Sequence, residues 1–211
     1  MSDYRNTRYC SELKDIEVKK QQLAVIIKNE HPRAMDLHNF ISPQKYCYKD
    51  CFMKIYNFKC CYCGVSIKLV NKSDFEIDHF ICQTSSKFAT KADAGNIENL
   101  VLACHTCNHN KGSFEIPDDK YDDLHPDMDK IKKAFVRDED YYIRVSDDKS
   151  NDEVINSFYK KLNLSAEFHR IDFLLMNMIG LHQSVEINSD VCRLLGIAIE
   201  KLREKRNLMG S

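Results

Sequence analysis

Two cysteine pairs in the middle of the chain have the spacing of a metal site. Cys60 and Cys63 form the first Cys-x-x-Cys pair, and Cys104 and Cys107 form the second. Each pair can direct two thiolates at one ion, so the two pairs together supply the four sulfurs of a tetrahedral structural zinc site. Cys61 could replace its neighbour Cys60 as a ligand. We assign the ligand to Cys60 because it preserves the regular two-residue gap.

The segment between and just after these pairs contains residue types suited to a harder metal ion and to proton transfer. Asp78 and His79 are adjacent between the pairs, and Asn108 directly follows the second pair. Carboxylate and amide oxygens are suitable ligands for a divalent cation such as Mg²⁺. An imidazole, with an ordinary pKa of about 6.5, can accept a proton near neutral pH.

The order and spacing of these residues resemble the HNH endonuclease family, in its zinc-stabilised subgroup. This resemblance covers roughly a quarter of the chain. The letters HNH stand for three motif residues, and Asn108 occupies the position of the second histidine. This substitution recurs among working relatives. The resemblance is carried by Cys60-x-x-Cys63-Gly64, by Glu76-Ile77-Asp78-His79, and by Asn99-Leu100-Val101-Leu102-Ala103-Cys104-x-x-Cys107-Asn108-x-x-Lys111-Gly112.

The resemblance implies a ββα arrangement that holds a catalytic metal ion and hydrolyses phosphodiester bonds in DNA. His79 would be the general base, and Asp78 and Asn108 would hold a catalytic Mg²⁺ or Mn²⁺ ion. Asn99 matches a family asparagine that constrains the loop and helps to position the base. These four residues are the predicted catalytic residues.

Two further residues of the motif are candidates for substrate binding. Lys111 matches a basic residue that is frequent in the family and would contact a phosphate; alternatively it only caps or solvates the helix. His109 would contact phosphate or supply another metal ligand, or it faces solvent. Glu76 lies two residues before Asp78, so on a strand the two share a face. The Glu76 side chain either supports a metal ligand or is purely structural.

The layout of the whole chain has a second resemblance. A helical N-terminal part, an HNH module and a helical C-terminal part resemble the nuclease subunits of Septu-type anti-phage defence systems, with some similarity in 126–135 and 159–170. That resemblance implies an ATPase partner subunit in a defence complex.

We therefore predict an α+β fold, in which a mainly helical chain surrounds a small ββα metal module with a four-cysteine zinc site. The predicted parts are an N-terminal helical segment (1–50), the HNH nuclease module (51–115) and a C-terminal helical extension (116–211). Apolar spacing predicts a helix over 11–30 and a second helix capped by Ser42, with Pro43 at its first position. Apolar runs predict antiparallel strands over 75–81 and 99–104, the first of which should end or bend at the Asp78-His79 pair. A short helix is expected after Cys107.

The C-terminal third is predicted to be mainly helical. The sequence YYIRV at 141–145 is a possible strand. Three helices should follow, the first capped by Asn151 or Asp152, the second capped by Ser165 and ending near Gly180, and the third capped by Ser189 and running through Leu202.

Charge and hydropathy restrict the setting in which the protein works. The 211 residues have a net charge of −1, and the stretch 115–150 contains twelve acidic and seven basic residues. Such a stretch should lie away from a phosphate backbone. There is no run of 18 apolar residues, and the polar N-terminus lacks the apolar core of a signal peptide, so we expect a cytoplasmic protein without a membrane partner.

Two other classes of function are compatible with parts of the pattern. A four-cysteine site can serve only to fold a nucleic-acid or protein binding module, because zinc affinity becomes folding free energy. The flanking helices could also make the chain chiefly an interaction subunit. A binding module would be indifferent to loss of His79, whereas an endonuclease would not.

Overall fold

A computed structural model of the chain describes residues 3–8, 12–43, 45–184 and 190–209. Two small antiparallel sheets lie among helices, which confirms the predicted α+β class. The helices of the described residues are α1 (Ile16–Glu30), α2 (His38–Ile41), α3 (Tyr48–Ile55), α4 (Lys91–Ala94), α5 (His105–Lys111), α6 (Tyr121–Leu124), α7 (Ile131–Ala134), α8 (Glu153–Lys161), α9 (Glu167–Ser184) and α10 (Asp190–Leu208).

The first sheet carries the motif residues. It pairs β1 (Phe75–His79) with β2 (Leu100–Cys104) in antiparallel register, so that Asp78 lies opposite Val101. All five residues of β2 are buried, because this strand runs through the core. Helix α5 follows β2 without an intervening loop, so the two strands and the helix form the predicted ββα unit.

Strand β1 ends at His79, within the Asp-His pair where the sequence predicted that it would end or bend. Beyond this point the Asn99 side chain takes over the pairing with Ile81. Its Oδ1 accepts a hydrogen bond from the Ile81 amide at 2.8 Å, and its Nδ2 donates to the Ile81 carbonyl at 2.9 Å. Helix α5 starts at His105 and so includes Cys107, whereas the prediction placed the helix after that cysteine.

The second sheet is a hairpin in the C-terminal part. Strand β4 (Ile143–Val145) confirms the strand expected within 141–145. It pairs with β3 (Phe135–Arg137), which was not predicted.

Helix α1 confirms the predicted N-terminal helix, with a later start. It begins at Ile16, after Asp15 adopts a left-handed conformation with a φ of 54°, and ends at Glu30 as expected. Ser11, the predicted start, lies outside the described residues. Leu23 and Ile27 are buried on its inner face.

The predicted helix start at Ser42 and Pro43 is wrong. Ser42 instead ends the short helix α2, because its backbone N–H donates to the carbonyl of His38. The next helix, α3, begins at Tyr48 without a side-chain cap and leads toward the first cysteine pair. A serine before a proline is compatible with either end of a helix. Here Ser42 ends α2 and does not begin the next helix.

The C-terminal helices confirm one predicted cap and extend two predicted ends. The Asp152 carboxylate accepts hydrogen bonds from the second and third amides of α8, as expected of an N-cap. Helix α9 begins at Glu167, two residues after Ser165, and continues through Gly180 to Ser184. Helix α10 runs to Leu208, six residues beyond the predicted end, while its predicted cap Ser189 lies outside the described residues.

One apolar core joins the N-terminal helices, the ββα unit and the chain as far as Leu164. A buried ion pair crosses the same regions, since Lys20 Nζ lies 2.7 Å from Asp127 Oδ2. Tyr56 donates a hydrogen bond to the same carboxylate.

The boundaries proposed after residues 50 and 115 remain predictions. No helix in the described ranges has the length and apolar character needed to cross a membrane.

His125 occupies the core as a neutral imidazole. Its Nε2 lies 3.2 Å from the Glu98 carbonyl oxygen, and its Nδ1 accepts a hydrogen bond from the Asp127 amide at 3.2 Å. Burial lowers the pKa of His125 to about 4; the carboxylates of Asp127 and Asp122 act in the opposite direction, while Lys20 adds to the decrease. Protonation on Nδ1 would also replace an acceptor with a donor facing the Asp127 amide.

We predict that His125 makes the fold acid-sensitive. Because the unfolded chain has the ordinary pKa of about 6.5 and the folded chain a lower one, unfolding takes up a proton between about pH 6.5 and 4. The free energy of unfolding should fall across this window, with His125 contributing up to about 3 kcal/mol. Urea titrations at several pH values should show a shallower dependence for His125→Gln. The exposed-site control His109→Gln should keep the wild-type slope, and parallel curves for all three proteins would contradict the prediction.

Candidate active site and metal centre

The four motif cysteines converge into one buried cluster. The sulfur atoms of Cys60, Cys63, Cys104 and Cys107 all lie within 4.8 Å of one another. The Cys63 and Cys104 sulfurs are 3.9 Å apart, close to the roughly 3.8 Å expected between two ligands of a tetrahedral zinc ion with bonds of about 2.3 Å. The number of ligands, their type and their spacing therefore fit zinc. Cys61 is buried but is not part of the cluster.

The first cysteine pair is held by a tight turn. The Cys60 amide donates to the Val65 carbonyl at 2.8 Å, and the Gly64 amide donates to the Cys60 carbonyl at 3.0 Å. Gly64 has a φ of +81°, and a Cβ atom there would lie 2.7 Å from the backbone oxygen of Arg5. Only glycine satisfies both the conformation and the close approach. This accounts for the glycine directly after Cys63.

The second pair lies where a strand meets a helix. Cys104 is the last residue of β2, and Cys107 lies in the first turn of α5. The sulfur positions of this pair are therefore determined by regular secondary structure, while those of the first pair depend on the turn.

The C-terminal helices close one side of the cluster. A cavity of about 290 Å³ is lined by Cys63 and Cys104 and by His169, Asp172 and Arg206 from α9 and α10. Arg206 forms an ion pair with the Asp172 carboxylate. Burial lowers the pKa of Arg206, but the hydrogen bond and negative charge of Asp172 outweigh it and raise that pKa overall. A guanidinium that keeps its charge here suits a neighbouring thiolate site.

Asp78 is held in the interior by two partners. Tyr62 donates a hydrogen bond to Oδ2 at 2.7 Å, and the Lys111 ammonium lies 3.1 Å from Oδ1. Burial raises the pKa of Asp78 to about 6, although both Lys111 and Tyr62 act to lower it. Each carboxylate oxygen retains a second lone pair, so these contacts leave acceptor capacity for a metal ion.

His79 lies on the opposite side of β1, because side chains alternate along a strand. It is partly exposed, and its ring packs against that of His38 in a tilted arrangement, with centroids 4.4 Å apart and an angle of 32° between the planes. Burial lowers the pKa of His79 to about 4, with a further contribution from His38. The His38 ring is anchored in turn, since its Nε2 lies 3.1 Å from the Ile77 carbonyl oxygen.

Asn108 and Glu76 form a hydrogen-bonded pair at the outer edge of the ββα unit. Asn108 donates from Nδ2 to a Glu76 oxygen, which leaves the amide oxygen Oδ1 available as a ligand. His105 Nδ1 lies 2.7 Å from the other Glu76 oxygen. Burial raises the pKa of Glu76, but the hydrogen bonds from Asn108 and His105 and the charge of Lys49 outweigh it and lower that pKa overall. Glu76 is therefore the direct partner of the predicted ligand Asn108.

The Asn99 side chain connects the loop after His79 to the loop before β2 by hydrogen bonds. Besides both hydrogen bonds to Ile81, its Nδ2 donates to the Ala94 carbonyl at 2.9 Å, and its backbone carbonyl accepts from the Phe80 amide at 2.8 Å. The side chain thus ties the residues after His79 to the loop before β2. This geometry suits the orienting role predicted for Asn99.

The two predicted substrate-binding residues differ in exposure, since Lys111 is buried and His109 is exposed. Lys111 is only 1% exposed, and besides Asp78 its ammonium donates to the carbonyls of His79 at 2.9 Å and Phe80 at 3.3 Å. A phosphate contact would require it to leave these partners. His109 is exposed on α5, with its ring stacked on that of His105 at a centroid distance of 5.8 Å.

Two residues that touch the predicted catalytic side chains have no signal in the sequence. His38 has no partner at ligand spacing, and its contact with His79 spans forty-one positions of the chain. Tyr62 lies between the first two cysteines, where a tyrosine has no special signal. No local pattern could have revealed either contact. Within the described part of the chain, the cysteine cluster is the only group of three or more Cys, His, Asp or Glu side chains whose ligand atoms converge.

We predict that the purified protein contains about one zinc ion per chain, bound by the cysteine cluster. Cys104→Ser should lose most of the metal and melt roughly 10 °C or more below the wild type, because zinc affinity contributes to folding. Metal analysis and thermal unfolding measure both effects. Cys82→Ser, at a cysteine outside the cluster, is the matched control. A Cys104→Ser protein with full zinc content would contradict the assignment.

Comparison with known families supports the pattern seen in the site. Residues 60–114 match the family model described as HNH endonuclease. Searches of curated proteins and of solved structures gave no match to the chain. The matched segment contains the four cysteines together with Asp78, His79, Asn99 and Asn108. The resemblance to HNH endonucleases is therefore confirmed for residues 60–114, about a quarter of the chain.

Proposed function

We propose that the protein is a metal-dependent endonuclease that hydrolyses phosphodiester bonds in DNA. The observation that carries the proposal is the HNH match over 60–114, which contains an Asp-His pair at the end of β1 beside the cysteine cluster. A four-cysteine site alone would suit a binding module, but it would not require His79 or Asn108.

His79 is the proposed general base. A neutral imidazole has one ring nitrogen free to accept a proton. In hydrolysis His79 takes a proton from a water molecule, the water oxygen bonds to phosphorus, and the bond from phosphorus to the 3′ oxygen breaks. The departing oxygen takes up a proton from solvent. The ring contact with His38 and the hydrogen bonds from Asn99 to Ile81 restrict the position of the His79 ring.

Asp78 and Asn108 are the proposed ligands of a catalytic divalent ion. Glu76 shares the Asp78 face of β1 and bonds to Asn108, so this side of the unit offers carboxylate and amide oxygens, the donor types that suit Mg²⁺ or Mn²⁺. When bound, such an ion polarises the phosphate and stabilises the leaving oxygen. Lys111 holds Asp78 in place and offsets its charge, a role that takes the place of the predicted phosphate contact.

Other parts of the predicted role rest on the sequence alone. The Septu-type defence function, the ATPase partner and the cytoplasmic setting remain predictions. The acidic stretch 115–150 is compatible with a partner that supplies affinity for DNA, because a nearly neutral protein attracts DNA weakly at long range.

We predict that the purified protein nicks and linearises plasmid DNA with Mg²⁺ or Mn²⁺ and not with EDTA. His79→Ala should lower the rate by roughly 100-fold or more, because the general base is removed. His182→Ala, in helix α9, is the matched control and should retain activity. Both variants should remain folded and keep their zinc, which thermal unfolding and metal analysis verify. A folded, zinc-loaded wild type without cleavage would favour a binding module or a missing partner.

We also predict that His38 positions His79. His38→Ala should lower kcat by roughly 10- to 100-fold with little change in KM, because a misplaced base slows the chemical step and leaves substrate binding intact. His38→Phe keeps a stacking ring and should recover part of the rate. His38→Asn keeps a donor without the ring and should recover less. Equal kcat values for His38→Ala and wild type would contradict this role.

A further inference from the structure

An open cleft lies next to the ββα unit, and no predicted role involves it. It has a volume of about 530 Å³ and is lined by the segment that enters α3 and by the turn before β1. Lys45, Tyr46 and Lys49 contribute from the first segment, and Lys72 and Ser73 from the second.

The cleft is basic. Three lysines line it against a single carboxylate, Asp50. Asp50 is paired with Lys72 at 2.6 Å, but both side chains are about half exposed, so solvent screens this pair. Among the described residues, no carboxylate lies within ion-pair distance of Lys45 or Lys49. Two cations in the cleft are therefore available to an anionic ligand.

An aromatic cluster supports one wall of the cleft. The Tyr46 ring is stacked on that of Tyr48, with centroids 5.4 Å apart and 29° between the planes. It also contacts His31 at 5.3 Å and Phe40 at 6.1 Å. The Lys45 ammonium lies 5.4 Å from the Tyr46 centroid. Because three other rings hold the Tyr46 ring in place, its side chain loses little conformational freedom when a flat ligand stacks on it. The ring is also partly exposed, so such a ligand can reach it.

The cleft lies at the start of the strand that carries the proposed catalytic residues. Lys72 and Ser73 belong to the turn Lys72–Asp74, and β1 begins at the next residue. On the other wall, the charge of Lys49 makes a small contribution to the lowered pKa of Glu76. A ligand bound along the cleft would therefore lie at the end of β1 that carries Glu76, the partner of Asn108.

We propose that this cleft binds a single-stranded segment of the nucleic-acid substrate, with Lys45 and Lys49 contacting phosphates and Tyr46 stacking on a base. This inference rests on the proposed function and names the form of substrate that enters the site. Positive charge beside an aromatic ring that is at least partly exposed is the combination that binds single strands. In an intact duplex the base faces are already stacked on each other, so Tyr46 has no free face to meet.

Binding can be measured apart from cleavage. The full-length protein in EDTA, with its zinc content verified after dialysis, is titrated against a fluorescent single-stranded oligonucleotide and its duplex at several salt concentrations. Wild type should prefer the single strand. Lys45→Ala/Lys49→Ala should weaken binding roughly 10-fold and reduce the slope of log K against log salt by about 1.4, since each single-strand phosphate contact contributes about 0.7. The control Lys161→Ala/Lys201→Ala removes the same charge from exposed sites on α8 and α10 and should have a much smaller effect.

Variants of Tyr46 test the stacking contact. Tyr46→Leu should weaken single-strand binding roughly 5- to 100-fold and duplex binding little, while Tyr46→Phe should remain near wild type. Unfolding curves establish that the variants are folded. Two results would overturn the cleft proposal even if the protein cleaves DNA. One is an equal loss of single-strand affinity in the cleft double-lysine variant and in the control double-lysine variant. The other is unchanged single-strand binding by Tyr46→Leu. Loss of binding in the cleft variants of a protein without cleavage activity would support the cleft and count against the endonuclease proposal.

Discussion

The convergence of four cysteine sulfurs within 4.8 Å of one another is the constraint on which the ββα unit depends. One pair comes from a turn that only Gly64 permits, and the other from the junction of β2 and α5. A metal ion that joins the two pairs connects the turn to the strand and helix. Because such binding is coupled to folding, the ion would stabilise the same ββα unit that presents Asp78 and His79.

The alternation of side chains along β1 separates two kinds of environment. Asp78 faces the interior, where Tyr62 and Lys111 surround its carboxylate. His79 faces the other way, toward His38, and stays partly exposed. Adjacent residues on one short strand thus have opposite surroundings. That separation suits one residue to hold a metal ion and the other to exchange a proton with water.

The flanking parts of the chain contribute directly to the region around the motif. Helix α2 supplies His38, and α9 and α10 close the cysteine cluster with His169, Asp172 and Arg206. The segment entering α3 forms one wall of the basic cleft. The HNH segment is therefore embedded in surroundings that its family pattern does not describe.

The sequence by itself determined the residue types, their order and the nature of the unit. Cysteine spacing identified the cluster, and apolar runs identified both strands of the first sheet, because these signals are local. It could not determine the contacts between distant positions, such as His38 with His79, nor the burial of Lys111 against Asp78. Only the tertiary structure decided these, since packing brings together residues whose separation along the chain leaves no periodic or spacing signal.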